Sequence, residues 1–185
     1  MKSSINLIFL LLSIVLGLWS CQQQTDAISS VFGENLLKNP SFEENGQPSS
    51  RFWNFQQTPT IQFTKEAPSK GGTWSVALIA TWIPPITFIA QTIETPRNIV
   101  DYQLSFWVKH QVKGSRVKIL GIYPDTTLEV GSIATTGENQ WKQYIYSFQV
   151  PSPAPDSLRI ELWASVTELS ADTTFYDLVE LRGTQ

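Results

Sequence analysis

Tryptophan alternates with charged and amide side chains in two segments of the chain. In residues 102–109, every second position belongs to the series Gln103, Ser105, Trp107 and Lys109. In residues 158–165, the corresponding series is Arg159, Glu161, Trp163 and Ser165. Successive residues of a strand point to opposite faces, so each series would occupy one side of a strand. The spacing therefore predicts two strands that each present one indole among polar groups.

Such a surface is chemically suited to a sugar. The apolar C–H face of a pyranose ring stacks on indole, and its hydroxyls pair with amides, carboxylates and guanidinium groups. We predict one aromatic-lined sheet face that binds a ligand through Trp107, Trp163, Gln103, Lys109, Arg159 and Glu161. The alternative is that a loop or a long side chain covers these tryptophans as ordinary packing.

Residues suited to catalysis are sparse. The chain has 1 histidine, His110, which ends a predicted strand without a nearby nucleophile in sequence. We expect it to be a surface residue rather than a base. Glu161 has no second acid on its row with which to cleave a glycosidic bond. No nucleophile elbow, phosphate-binding loop or zinc-ligand spacing occurs. We therefore expect no enzymatic activity, and a glycan hydrolase or lyase is the least favoured alternative.

Short runs of β-branched and aromatic residues, separated by Gly, Pro, Asn, Asp and Ser, provide the elements that would position these side chains. The predicted strands are 74–82, 87–93, 102–110, 116–123, 141–150, 157–165 and 173–181, with shorter candidates at 52–55 and 61–64. No long stretch has helical periodicity. The pattern predicts an all-β fold, an antiparallel two-sheet β-sandwich or jelly roll.

Charge and composition exclude some partners. The chain has 13 basic and 16 acidic residues, a formal net charge of -3, and no basic cluster. A phosphate backbone requires such a cluster, so we predict no nucleic-acid partner. The 7 tryptophans are many for this length, so we expect some in the core and others at a recognition surface.

The N-terminal residues have the pattern of an export signal. Residues 1–20 contain a lysine, an apolar run over 5–18 and a small Ser20, and they precede Cys21, the chain's 1 cysteine. We predict a signal peptide over 1–20, with an uncleaved anchor helix as the alternative. Residues 21–33 are polar and unpatterned, as in a flexible tether, and 34–185 form the folded domain.

The stretch "LWSC" resembles the lipobox of bacterial lipoproteins, although Trp19 is bulkier than the residue usual at that position. This resemblance implies that Cys21 carries lipid and that the protein is attached to a membrane of the bacterial cell envelope, expected to be the outer one. An exported domain whose only thiol is acylated has no internal disulfide. Its stability would then come from the core or from a bound ion.

The folded part resembles carbohydrate-binding modules of the family 4, 9 and 22 type, which have the galactose-binding-like jelly roll. The opening "NLLKNPSFEENG", the turn in "GGTWSVAL", Gln91, and the strands "YQLSFWVK", "WKQYIYSF" and "FYDLVEL" follow that family's order. The resemblance implies binding of polysaccharides such as β-glucans or xylans. It also implies a structural calcium between the opening motif and the closing strand, held by Glu43 and Asp177. Carboxylate oxygens suit such a hard cation, and the alternative is two ordinary surface carboxylates.

The leading hypothesis is a non-catalytic, lipid-anchored envelope protein that binds polysaccharide through an aromatic sheet face. An envelope scaffold that holds another protein of the envelope is the first alternative.

Overall fold

The computed structural model describes residues 33–55, 60–80, 87–110, 114–164 and 172–184. The described strands are β1 (Glu43–Glu44), β2 (Gln47–Pro48), β3 (Asn54–Phe55), β4 (Ile61–Thr64), β5 (Ser75–Ile79), β6 (Phe88–Glu94), β7 (Asp101–His110), β8 (Arg116–Ile122), β9 (Thr127–Ala134), β10 (Lys142–Gln149), β11 (Ser157–Trp163) and β12 (Thr173–Gly183). Within this part of the chain, no helix is long and apolar enough to cross a membrane.

Ten of these strands form two antiparallel sheets of 5 strands each. Sheet I has the order β10-β7-β12-β5-β4, and sheet II has the order β3-β6-β11-β8-β9. Strands β1 and β2 pair as a separate small hairpin. The prediction of an all-β, two-sheet antiparallel sandwich is confirmed.

The core lies between the inner faces of the two sheets, and period-two alternation produces it. In β7 the inner row contains Leu104 and Phe106, and in β11 it contains Leu158, Ile160 and Leu162, all at 0% exposure. These side chains belong to one continuous hydrophobic cluster. The inner rows of these two strands are therefore buried, and the series that contain Trp107 and Trp163 lie on the other side of each strand, away from the core.

The opening motif is fastened to the closing strand. The Asn35 side-chain oxygen accepts a hydrogen bond from the Leu181 backbone N–H at 2.9 Å, and the Leu36 N–H donates to the Leu181 carbonyl at 2.7 Å. Phe42 is fully buried and packs on Trp53 with ring centroids 5.0 Å apart. Its φ of 55° is in the left-handed region, which a phenylalanine adopts only when the surroundings compensate.

The sequence pattern missed β9 and the hairpin of β1 and β2. Strand β9 is an edge strand that pairs with β8 alone, and its residues Thr127 to Glu129 are exposed. An edge strand needs little apolar alternation, so the hydrophobic pattern was too weak to predict it. The predicted signal peptide, Cys21, Trp82 and most of the predicted tether lie outside the described residues.

Candidate functional site

The two tryptophans predicted to share a ligand-binding face lie on opposite sides of the sandwich. Trp107 is in β7 of sheet I, and Trp163 is in β11 of sheet II. Both belong to outer rows, and the two inner rows face each other across the core. The prediction of one shared face is therefore wrong. Alternation within a strand determines the side on which a residue lies, but it does not show which sheet contains the strand.

The outer surface of sheet II, here called the Trp163 face, contains three of the predicted ligand-binding residues together with Phe88 and Lys118. In the strand register, Trp163 lies opposite Phe88 of β6, and Glu161 lies opposite Lys118 of β8. The rings of Phe88 and Trp163 are stacked, with centroids 4.8 Å apart. The Lys118 Nζ is 4.7 Å from the centroid of the Trp163 ring. The indole is thus held between its neighbours on the two adjacent strands.

Glu161 positions the side chains around it. Its carboxylate is 5% exposed; Oε2 accepts a hydrogen bond from Trp163 Nε1 at 2.9 Å, and Oε1 lies 3.0 Å from Arg159 Nε. The Arg159 contact is an ion pair without hydrogen-bond geometry, since that Nε has no hydrogen-bond partner among the described residues. A buried carboxylate needs such compensation. Glu161 therefore fixes Trp163 and Arg159, and its oxygens are directed at them.

A cleft of about 750 Å³ opens beside Trp163, at the ends of β8, β9 and β11. Its lining residues include Trp163, the cations Arg116 and Lys118, and Ser115, Thr135 and Thr136, of which only Thr136 is exposed. This volume is in the range of small-ligand sites, which combine apolar walls with a few polar groups. The cleft is the concave feature that accompanies the predicted binding residues of sheet II.

A chain of buried polar side chains lies behind the cleft wall. His110 Nε2 is 2.7 Å from Thr135 Oγ1, which is 3.2 Å from Ser115 Oγ. Ser115 Oγ is 2.5 Å from the Tyr176 hydroxyl, which donates to the Trp163 carbonyl at 2.9 Å. These contacts join the backbone of β11 to the residue before β8 and to the residue after β9, so they hold the cleft wall in position.

The expectation that His110 lies on the surface is wrong, because its exposure is 1%. Burial lowers the pKa of His110, and the charge of Asp172 opposes that shift. Desolvation disfavours the charged imidazolium, so the ring is neutral at pH 7. Burial likewise raises the pKa of Tyr176, and the hydrogen bond from Ser115 opposes it. Both groups are suited to structural hydrogen bonds within the wall.

The outer surface of sheet I, here called the Trp107 face, contains Gln103, Trp107 and Lys109. Lys109 is not free, because its Nζ is paired with Glu66 and lies 5.7 Å from the centroid of the Phe175 ring. In the register of β10 against β7, Trp107 lies opposite Gln143. Ile145, two residues after Gln143 on the same side of β10, is 61% exposed.

Trp141 lies beside this face, just before β10, with its ring 6.4 Å from that of Phe175. In the sequence, Trp141 is only the first residue of a predicted strand. Its proximity to the Trp107 face follows from strand register and is not visible in the alternation.

Glu43 and Asp177 lie against the same turn. A side chain at Gly71 would collide with the Asp177 carboxylate, and one at Gly72 would collide with that of Glu43. Glu43 accepts a hydrogen bond from the Thr73 N–H, 2.9 Å from each oxygen. Two consecutive glycines therefore make room for two acidic groups from distant parts of the chain.

Asp177 has the features of an incomplete cation site. Its exposure is 0%; Oδ1 accepts from the Leu178 N–H at 2.8 Å, and Oδ2 has no hydrogen-bond partner among the described residues. Burial raises its pKa to about 7, the Leu178 hydrogen bond opposes this, and the charge of Glu43 adds to it. A cation between the two carboxylates would relieve both the desolvation and the repulsion.

The chemistry and position of Glu43 and Asp177 thus fit calcium. No group of three or more His, Cys, Asp or Glu side chains that could hold a metal occurs in the described ranges. The remaining ligands would be backbone carbonyls and water.

Comparison with known proteins identifies the architecture. No protein-family model matches the sequence, and no curated protein matches it. Among solved structures, it is similar to the CBM22-1 xylan-binding domain of Xyn10C from Paenibacillus barcinonensis, with 15% identity, a TM-score of 0.60, and coverage of 83% of this chain and 96% of that one. It is similar to the family 61 module TmCBM61 in complex with β-1,4-galactotriose, with 20% identity, a TM-score of 0.53, and coverage of 80% and 98%. The chain has the fold of carbohydrate-binding modules.

Proteins of other kinds share this fold. The Stig cyclase FisC from Fischerella sp. TAU matches with 15% identity, a TM-score of 0.60, and coverage of 82% of this chain and 98% of that one. The tailspike protein 4 domain of bacteriophage CBA120 matches with 18% identity and a TM-score of 0.57, and the chain spans 21% of its length. The carbohydrate-binding-module fold therefore does not decide function by itself, because function depends on the side chains of the site.

Proposed function

We propose that this chain is a non-catalytic, lipid-anchored protein of the bacterial cell envelope that binds a polysaccharide at the cleft on the Trp163 face. The observation that carries the proposal is the position of Trp163, which lines a cleft of about 750 Å³ together with Arg116, Lys118 and Thr136. An indole and hydrogen-bonding groups around one concavity are what recognition of a pyranose requires.

Each side chain has a distinct role in this proposal. Trp163 supplies the stacking surface, and Lys118, which lines the cleft, donates to sugar hydroxyls. Glu161 holds Trp163 and Arg159 in place, and Arg159 lies outside the cleft lining on the same face. Lys118 covers part of the indole, so the sugar displaces its ammonium group. A β-glucan or xylan, whose backbone is a chain of pyranose rings, is the class of ligand implied by the family resemblance.

Two further parts of the proposal concern attachment and stability. Cys21 carries the lipid and fixes the protein to the membrane, expected to be the outer one. Calcium at Glu43 and Asp177 ties β1 to β12, the strands near the two ends of the domain. An ion at this place would contribute the kind of cross-link that a disulfide provides in other exported domains.

The opposite positions of the two tryptophans provide a matched experiment. We expect Trp163→Ala to weaken retardation in polysaccharide affinity gels by about tenfold or more, a loss of about 1.4 kcal/mol, while Trp107→Ala leaves it unchanged. Circular dichroism and melting curves check that both variants fold. If Trp107→Ala abolished retardation by the polysaccharide and Trp163→Ala did not, the binding site would lie on the Trp107 face. Retention in both variants would refute an aromatic site on either face.

The Trp107 face supports a second candidate function, the binding of another envelope protein. Ile145 is 61% exposed there. It follows Gln143 on the same side of β10 and lies opposite Ser105, in the row of β7 that contains Trp107. An exposed aliphatic group beside an indole is more typical of a protein contact than of a sugar site. Ile145→Lys should abolish co-purification of a partner protein if this function is correct, and it should leave binding of polysaccharide unchanged.

A further inference from the structure

We propose that the cleft selects acidic polysaccharides, in which pyranose rings carry carboxylate groups, over neutral ones. This inference rests on the proposed function, because it names the ligand class of the same cleft. Its basis is the charge of the cleft wall and the position of Lys118.

The cleft wall is positive although the chain as a whole is negative. Its described lining contains Arg116 and Lys118 and no acidic residue, whereas the formal net charge of the chain is -3. Arg116 is exposed and has no ion pair within the described ranges. A concave surface with one sign of charge concentrates ligands of the opposite sign.

The carboxylates around the cleft leave these cations available. Glu161 is buried and directed at Trp163 and Arg159. Glu129 lies 3.8 Å from Lys118 Nζ, near the limit of an ion pair, and its side chain is 46% exposed. An exposed pair at this distance is weak. A ligand carboxylate can therefore replace Glu129 at Lys118 with little loss, and Arg116 needs no displacement.

Lys118 couples recognition of charge to recognition of the ring. In the free protein its ammonium lies 4.7 Å from the centroid of the Trp163 ring. A neutral sugar that stacks on the indole has to displace this cation without offering it a carboxylate. An acidic sugar displaces it and accepts its hydrogen bonds at the same time. The exchange of a cation–π contact for a charge-assisted hydrogen bond favours the acidic ligand.

Arg116 and Lys118 are two residues apart in β8, so both side chains lie on the outer face of sheet II. Thr135 and Thr136 follow β9 on the adjacent part of the wall. The two cations and the exposed Thr136 thus lie around the position where a sugar would rest on Trp163. A uronic acid presents a carboxylate and hydroxyls on one ring, which matches this arrangement.

The test compares an acidic oligosaccharide, oligogalacturonate or glucuronoxylan fragments, with its carboxyl-reduced form by calorimetry with the full chain. We expect the acidic form to bind at least about tenfold more tightly at low salt, with an advantage that shrinks as salt rises. Arg116→Gln should remove much of this preference while binding of the reduced form persists, and Lys118→Met should weaken binding of the acidic form more than that of the reduced form. Arg182→Gln, on the other sheet and paired with Glu180, is the matched control and should change neither affinity.

The outcomes separate this inference from the proposed function. Equal affinity for both forms, lost in Trp163→Ala, would overturn the preference for acidic ligands while supporting a polysaccharide site. A preference that persists in Arg116→Gln and Lys118→Met would overturn the assignment of those residues. Tighter binding of a sulfated neutral glycan than of the uronate would overturn the assignment to carboxylates. No binding to any of these glycans would overturn the proposed function together with this inference.

Discussion

Calcium should stabilise this domain through Glu43 and Asp177, and substitution of either residue should abolish the effect. The Asp177 carboxylate is at 0% exposure with an unpartnered oxygen, and the Glu43 carboxylate lies against the same pair of glycines. Without an ion, these groups repel each other where water screens them poorly. With an ion, their oxygens become ligands. We therefore expect the free energy of unfolding to rise when calcium is added.

The size of the effect follows from linkage. Calcium sites of extracellular modules have dissociation constants of about 10⁻⁴ to 10⁻³ M. At 10 mM calcium, a stabilisation of about 1.4 to 2.7 kcal/mol results. For a domain of this size, that corresponds to a rise in melting temperature of about 3 to 10 °C.

The Asp177→Asn variant tests the physical reason for the effect. The pKa of Asp177 is raised from 3.8 to about 7 by burial, so keeping it ionised at pH 8 costs the folded state up to about 4 kcal/mol. The neutral amide avoids this cost but is a poor calcium ligand. In chelator we expect the variant to melt at or above the temperature of the wild type. Calcium should narrow this difference, because only the wild type responds to the ion.

Differential scanning calorimetry at pH 8, with 10 mM calcium or with chelator, measures both effects. Glu43→Gln should lose the calcium response, while Glu44→Gln is the matched control, because the half-buried Glu44 is paired with Arg51 at 2.6 Å and lies away from the two glycines. Melting temperatures that are indifferent to calcium would refute the site. A calcium response that persists in Asp177→Asn and Glu43→Gln would place the ion elsewhere.

Three further predictions concern the core, the buried histidine and the anchor. Phe42→Ala should lower the free energy of unfolding by about 3 to 5 kcal/mol in urea denaturation, because it leaves a cavity beside Trp53; Phe52→Ala, at another positive-φ position with 53% exposure, should change it little. Because burial lowers the pKa of His110 from 6.5, the folded state binds fewer protons, so stability is complete above pH 6.5 and falls as the pH drops below it. The melting temperature of His110→Gln should decline less between pH 7 and pH 5 than that of the wild type. Cys21→Ser should release the protein from the membrane fraction, as measured by fractionation and immunoblotting.

Each of these expectations has a result that contradicts it. Equal losses of stability in Phe42→Ala and Phe52→Ala would show that Phe42 does not stabilise the core. If the melting temperatures of the wild type and His110→Gln depended on pH in the same way, His110 would not contribute to the loss of stability in acid. Unchanged membrane association of Cys21→Ser would refute lipidation.

Much of the fold was predictable because alternation is a local property of the chain. The runs that became β7 and β11 show which residues face the core, and their inner rows are buried as expected. In contrast, β9 was not predictable, since an edge strand with exposed residues has little hydrophobic alternation.

The candidate site was predictable only in part. The sequence alone selected Trp163, Arg159 and Glu161 as members of one row, and the structure places them together beside a cleft. The prediction from the sequence also grouped these residues with Trp107, which lies on the opposite side of the sandwich. Whether β7 and β11 share a sheet depends on pairing between residues far apart in the chain. The residues of either strand alone do not show which strands it pairs with.

The sequence by itself determined the all-β class, the inner and outer rows of its strands and the residues available for binding, because period-two alternation and turn residues act over a few positions. Only the tertiary structure decided which rows share a face, the burial of His110, the meeting of Glu43 and Asp177 at one turn, and the positive cleft beside Trp163. These features arise from strand order and register, in which distant segments meet and side chains are removed from water together.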